Sequence, residues 1–125
     1  MLSVTKKFHI CYGHHLPDYP GKCAEFHGHN SVVEVEFADV DTGVTSYPGM
    51  VTDFANIKTC IGPIVEALDH RNLNDIFKRP TAENIVLYLV ETIQSAFPET
   101  YGAMLSRVRL YETEDSYAEW RADNA

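Results

Sequence analysis

The spacing of hydrophobic residues changes along this chain, and that change limits the folds open to it. From Asn30 to Asp39 apolar and polar residues alternate, as in a β-strand with one buried face. From Val86 to Phe97 apolar residues recur every three or four positions, as in an amphipathic helix. A chain with both patterns can bury a sheet face against helices, so the sequence predicts an α+β domain.

The remaining elements follow from strand composition and helix caps. Residues 2–12 and 104–113 are rich in β-branched and aromatic residues, and residues 116–121 complete a closing hairpin. Asp53 and Thr81 are predicted N-caps of two helices, because their side-chain oxygens can accept the free N–H groups of a first turn. Pro63 predicts a kink or a break in the first of these helices. The predicted order is ββααββ, with a four-stranded antiparallel sheet and two helices on one face.

Length and charge set broader limits. The 125 residues fit one domain, residues 1–125. The net charge of -8 argues against nucleic acid or a membrane as partner. The sequence shows neither a membrane-spanning run nor a signal peptide, so we expect a cytoplasmic protein. The open edges of such a sheet favour a homo-oligomer. The odd number of cysteines favours reduced thiols, and Cys11 and Cys60 are expected in the core.

Three histidines have the spacing of metal ligands. His27 and His29 flank Gly28, so in an extended segment both imidazoles lie on the same side. His14 comes at the end of the preceding strand, whereas His15 points the other way and is not expected to be a ligand. Three neutral imidazoles are typical of a catalytic zinc site that leaves one position open. The alternative is a polar loop.

Other residues near these histidines have two or more interpretations. Cys23 lies four residues before His27, so it is a base or nucleophile, an inert thiol, or a fourth ligand that closes the zinc site. Asp69 can orient His70 for proton transfer, or both can belong to a solvated helix end. Glu112 can accept two hydrogen bonds from an amidine-like edge of a ligand, or it is simply exposed.

Five segments, taken together and in this order, carry a resemblance. The first consists of His14–Pro17 with Lys22–Asn30, and the others are Val51–Phe54, Leu68–Asn74, Pro80–Asn84 and Tyr111–Thr113. They resemble the 6-pyruvoyltetrahydropterin synthase / 6-carboxytetrahydropterin synthase family. The resemblance implies the tunnelling fold, assembled as trimers that stack into hexamers with sites between subunits.

The resemblance also implies a substrate and roles for the site residues. The substrate would be 7,8-dihydroneopterin triphosphate, with Zn²⁺ on His14, His27 and His29 gripping its side-chain hydroxyls. Cys23, Asp69 and His70 would be the catalytic groups that move protons. Glu112 would bind the 2-amino edge of the pterin.

The spacing from Cys23 to His27 matches the branch of the family that makes 6-carboxy-5,6,7,8-tetrahydropterin for queuosine biosynthesis. That branch releases acetaldehyde and triphosphate. The alternatives are triphosphate elimination to 6-pyruvoyltetrahydropterin, formation of 6-hydroxymethyldihydropterin through a glutamate such as Glu25, and a non-catalytic, zinc-stabilised binding module.

Overall fold

Five strands and two long helices make up the part of the chain that the structure, a computed structural model, describes: residues 1–39 and 47–123. The strands are β1 (Ser3–His14), β2 (His27–Asp39), β3 (Arg71–Asn72), β4 (Ala103–Thr113) and β5 (Ser116–Arg121). The helices are α1 (Phe54–Glu66) and α2 (Ala82–Ala96). No helix in these ranges is long and apolar enough to span a membrane.

The strands form one sheet in the order β3-β1-β2-β4-β5. All neighbouring pairs are antiparallel except β3, which pairs parallel to β1 at Tyr12 and Gly13. The α+β prediction is confirmed, but the sheet has five strands where four were predicted. The additional strand has two residues, too few to show an alternating pattern within what was predicted as a loop.

The core lies between the helices and one face of the sheet. Alternate residues of β2 point into it, as the sequence predicted. The helices contribute one apolar stripe each. The fully buried side chains include Val33, Val35, Phe37, Ile57, Ile61, Leu89, Ile93, Val108 and Leu110.

The opposite face of β2 is more covered than the sequence predicted. Glu34 and Glu36 lie on the polar side of the alternating pattern, which predicts an exposed face, yet the side chain of Glu34 is only 9% exposed. The Arg107 guanidinium donates to both carboxylates, over 3.0 Å to Glu34 and 3.2 Å to Glu36. The expectation was wrong because β2 lies between β1 and β4, so long side chains from β4 cover it. Buried charges of this kind require such partners.

Both predicted helix caps are confirmed. Asp53 Oδ1 accepts the Ala55 N–H over 2.8 Å, and Thr81 Oγ1 accepts the Asn84 N–H over 3.1 Å. Of the predicted kink or break at Pro63, the break is wrong, since α1 continues to Glu66, and the kink stays a prediction. Proline removes one N–H donor, but its carbonyl still accepts the Ala67 N–H over 3.1 Å.

Replacing Thr81 with alanine is expected to lower the free energy of unfolding by about 1 kcal/mol, because it removes the only side-chain acceptor that caps α2 among the described residues. Urea denaturation measures this loss. Thr92→Ala is the matched control, since Thr92 Oγ1 donates to Tyr88 O within the helix, where alanine is well tolerated. Equal losses in the two variants would show that the cap contributes nothing.

Candidate active site

The three predicted ligand histidines meet at one end of the β1–β2 pair. His14, the last residue of β1, lies directly opposite His27, the first of β2, and His29 lies opposite Tyr12. The ring centroids are 4.6 Å apart for His14 and His27, and 4.9 Å apart for each of the other two pairs. One ring nitrogen from each histidine lies within 4.8 Å of the other two. The structure therefore brings the predicted set together.

Backbone carbonyls fix the orientation of two of these rings. His14 Nδ1 is 2.7 Å from Pro80 O, and His27 Nδ1 is 2.7 Å from Glu25 O. A carbonyl can only accept, so Nδ1 carries the proton and Nε2 of each neutral ring keeps its lone pair. His14 Nε2 lies 3.0 Å from His29 Nε2. Nitrogen lone pairs that converge, with the far nitrogen held by a carbonyl, are the arrangement in which histidines bind zinc.

Burial also favours the ligand form of His14, which is 2% exposed. Desolvation lowers the pKa of His14 below its usual 6.5, and the neighbouring His27 and His29 lower it further. The hydrogen bond to Pro80 and the charge of Glu112 oppose this shift but do not cancel it. The neutral imidazole is the form that binds a metal, so His14 is ready to bind at neutral pH.

Glu112 lies beside the three histidines. Its Oε1 is 3.8 Å from His14 Nε2, and its side chain is 32% exposed, so it is neither buried nor fully solvated. It also lines a cavity of about 530 Å³ between the start of α2 and the β4–β5 hairpin. Tyr117 and Trp120 supply aromatic surface to this cavity. A ligand bound there can reach a carboxylate next to the histidine cluster.

Asp69 and His70 form a close side-chain pair that is fixed against β1. Asp69 Oδ2 lies 3.0 Å from His70 Nδ1. The Cys11 N–H donates to Asp69 Oδ1 over 2.8 Å, and the His70 N–H donates to Cys11 O. The Cys11 N–H is the main cause that lowers the pKa of Asp69 below its usual 3.8, and His70 adds to the effect. Asp69 is therefore ionised at neutral pH and holds His70 in one orientation, unlike a freely solvated helix end.

The structure places Cys11 differently from the prediction, whereas the alternatives for Cys23 stay predictions. Cys23 is exposed in a short 3-10 turn, Lys22–Ala24, just before β2. Among the described residues, the donor cluster around Asp69 and His70 contains Cys11 and not Cys23. Cys11 was expected in the core but is exposed, because Ile10 and Tyr12 occupy the inward positions on either side of it. Cys60 packs partly against the core.

Tyr12 was not predicted as a site residue, yet it is part of the histidine cluster. Its ring lies 5.3 Å from that of His14, edge to face, and 5.5 Å from that of His29. Burial raises the pKa of Tyr12 to about 12, so its hydroxyl stays neutral. The hydroxyls of Tyr12 and Ser31 are both buried, and neither has a hydrogen-bond partner of good geometry. The Ser31 hydroxyl is nevertheless close enough to offset part of the rise in the pKa of Tyr12. The alternation of β1, which places Tyr12 on the same face as His14, is the signal that could have identified it.

Comparison with known proteins identifies the family. A model of the 6-pyruvoyl tetrahydropterin synthase family matches residues 3–123. A putative 6-carboxy-5,6,7,8-tetrahydropterin synthase of Archaeoglobus fulgidus is 37% identical, over 86% of this chain and 85% of that protein. A dihydroneopterin monophosphate aldolase of Pyrococcus furiosus is 39% identical, over 70% of this chain and 71% of that protein. The 6-pyruvoyl tetrahydropterin synthase of Caenorhabditis elegans superposes with a TM-score of 0.80 at 26% identity, covering 98% of this chain and 96% of that one. The chain thus has the tunnelling fold and belongs to the 6-pyruvoyl tetrahydropterin synthase family.

Proposed function

We propose that this protein is a zinc-dependent 6-carboxy-5,6,7,8-tetrahydropterin synthase. It would convert 7,8-dihydroneopterin triphosphate to 6-carboxytetrahydropterin, with release of acetaldehyde and triphosphate. The observation that carries the proposal is the convergence of three imidazoles beside the carboxylate of Glu112, 3.8 Å from His14. The name of the Archaeoglobus fulgidus relative supports the choice of reaction. So does the Cys23 thiol, four residues before His27.

The side chains around the histidines have distinct tasks in this proposal. His14, His27 and His29 would hold zinc, which would supply a Lewis acid for the substrate hydroxyls. Glu112 accepts the 2-amino and ring N–H groups of the pterin, which fixes the ring relative to the histidines. Asp69 accepts the Nδ1–H of His70, so His70 Nε2 keeps a lone pair that can take a proton. Cys23 donates or removes a proton at another position.

We propose that two subunits contribute to such a site. Cys11, Asp69 and His70 form one cluster, and strand alternation places the Cys11 side chain on the face of β1 opposite to Tyr12 and His14. A substrate held at the histidines of one chain would therefore meet the Asp69–His70 pair of another. Both edges of the sheet leave backbone groups free to pair with another subunit. On one side β3 covers β1 only at Tyr12 and Gly13, and on the other side β5 is an edge strand. We propose a trimer that stacks into a hexamer.

The products decide the reaction. Zinc-loaded protein is incubated with 7,8-dihydroneopterin triphosphate, and the products are identified by mass spectrometry. The proposal expects 6-carboxytetrahydropterin and acetaldehyde in equal amounts. Triphosphate without acetaldehyde would contradict it and would identify the 6-pyruvoyl reaction.

Aldol cleavage is a second candidate, favoured by the 39% identity to the dihydroneopterin monophosphate aldolase. The same histidines can hold the side-chain hydroxyls of a dihydroneopterin. Breaking the bond between the first and second side-chain carbons gives 6-hydroxymethyldihydropterin and an aldehyde. Glu25, whose carbonyl orients His27, is near enough in sequence to act there. Turnover of 7,8-dihydroneopterin monophosphate to glycolaldehyde phosphate, with none of the triphosphate consumed, would favour this candidate.

Replacing Glu112 with glutamine is expected to raise KM for the pterin about 10- to 100-fold, because hydrogen bonds to a charged acceptor contribute about 1.5–3 kcal/mol. The value of kcat should change little, since Glu112 anchors the ring and moves no proton. Steady-state kinetics measure both constants. Glu114→Gln, an exposed residue of the β4–β5 turn, is the matched control. An unchanged KM with a reduced kcat would contradict the anchoring role.

A further inference from the structure

Cys11, Asp69 and His70 form a second cluster of metal-donor side chains. The Cys11 thiol sulfur, a carboxylate oxygen of Asp69 and a ring nitrogen of His70 lie within 4.8 Å of one another. A thiolate, an imidazole and a carboxylate are together a donor set that suits zinc and other thiophilic divalent metals. The donors of a tetrahedral zinc ion lie about 3.3–3.8 Å apart, given zinc–ligand bonds of about 2.0–2.3 Å.

The backbone holds these three residues in place. The Cys11 N–H binds Asp69 Oδ1, and the Cys11 carbonyl accepts the His70 N–H. His70 has a positive φ of 58°, which a non-glycine residue adopts only where its surroundings impose it. Asn30 adds a further oxygen donor, because its Oδ1 lies 3.0 Å from Cys11 Sγ. Four potential ligands, supplied by β1, β2 and the segment before β3, therefore surround one point.

In the single chain this cluster is open to solvent, and its thiol lies on the opposite face of β1 from His14. Cys11, Asn30 and His70 line a groove of about 470 Å³, and His29 also contributes to its wall. The side chain of His70 is 77% exposed and that of Asp69 is 31% exposed. The Cys11 side chain lies on the other face of β1 from His14, so the two donor sets cannot share one ion.

We propose that Cys11, Asp69 and His70 bind a second Zn²⁺ or similar thiophilic divalent cation, with Asn30 or water as the fourth ligand. Binding releases the thiol proton of Cys11 and breaks the hydrogen bond between His70 and Asp69. The site is weaker than the three-histidine site, because its ligands are exposed and must rearrange. If the proposed function holds, a metal bound here also occupies the proton-transfer pair, so excess zinc inhibits turnover.

Cobalt titration tests the site without using enzyme activity. Co²⁺ is added to the metal-free, assembled protein, and its absorption is recorded. Only a thiolate ligand gives a sulfur-to-cobalt charge-transfer band in the near ultraviolet, and the three-histidine site has none. We expect two equivalents per chain, with the band growing as the second one binds. Cys11→Ser should lose the band and the second equivalent, whereas the matched Cys23→Ser should keep both.

Other results of the titration overturn the proposal. A single equivalent without the band shows that the second site does not exist. A band that survives in Cys11→Ser but disappears in Cys23→Ser shows that Cys23 is a ligand at the histidines instead. By contrast, loss of one equivalent in His29→Ala with the band retained would support the proposal, because it shows two independent sites.

A second arm tests the functional consequence. Each protein is assayed with one equivalent of zinc and with excess zinc, and the ratio of the two rates is compared. We expect at least a tenfold fall for the native chain and almost none for Cys11→Ser. Equal inhibition of both proteins would overturn the inhibitory role. Protein without any pterin turnover would refute the proposed function, while the cobalt spectrum would still decide the site.

Discussion

Replacing His29 with alanine is expected to release the zinc and lower turnover by roughly 10³-fold. The side chain supplies one of three ring nitrogens that lie within 4.8 Å of one another. Lewis-acid activation by a bound metal contributes several kcal/mol, and about 4 kcal/mol corresponds to the expected factor. Metal content after dialysis and kcat measured on the same sample test the two parts of this prediction.

The control for this variant is His15→Ala. His15 follows His14 directly, but its backbone N–H and C=O are both bonded to the Asn74 side chain and do not depend on the imidazole. That variant should keep its zinc and its rate. The His29→Ala protein should also remain folded by circular dichroism, because the core between helices and sheet does not involve the metal. An unfolded His29→Ala protein would indicate a structural zinc site and would support the binding-module alternative.

Replacing Cys23 with serine is expected to lower kcat by roughly 10²- to 10⁴-fold, the usual contribution of a general acid or base. The exposed thiol lies in the turn that leads into β2, close in sequence to His27. Serine keeps the size of the side chain, but its hydroxyl does not ionise near neutral pH, so it cannot replace a thiolate as base. Single-turnover kinetics on zinc-loaded protein measure the chemical step directly.

The zinc content of the Cys23→Ser protein separates the alternatives for this residue. The proposed role predicts that zinc stays bound while turnover is lost. Loss of zinc would show that Cys23 is a fourth ligand, and an unchanged rate would show that the thiol is inert. Cys60→Ala, in a half-buried position of α1 away from the donor clusters, is the matched control for removing a thiol.

Local sequence patterns were enough to predict the parts of the fold that depend on neighbouring residues. The caps at Asp53 and Thr81 involve partners two and three residues away. The histidine cluster was accessible for a similar reason, because His27 and His29 share a face of one strand and His14 ends the strand that pairs with it. A hairpin brings these residues together without any long-range information.

The parts that were not predicted depend on distant segments. Asp69 is bound by Cys11, 58 residues away, and His14 by Pro80, 66 residues away. The spacing of apolar and polar residues along a segment does not indicate contacts between residues so far apart in the sequence. The two-residue strand β3 and the coverage of Glu34 by Arg107 arise in the same way, since both depend on which strands become neighbours in the sheet. Cys11 was misplaced for a different reason: the alternation of β1 already pointed it outward, but its residue type suggested the core.

X-ray absorption at the zinc edge, on protein loaded with one equivalent of zinc or less, tests the central claim most directly. Three histidines and one exchangeable oxygen predict only light scatterers at about 2.0–2.1 Å, and the oxygen contribution should change when the pterin substrate is added. The Cys11→Ser background removes any sulfur contributed by the second site. A sulfur scatterer at about 2.3 Å in that background would contradict the account, because the zinc would then be closed off by Cys23 and could not hold a substrate.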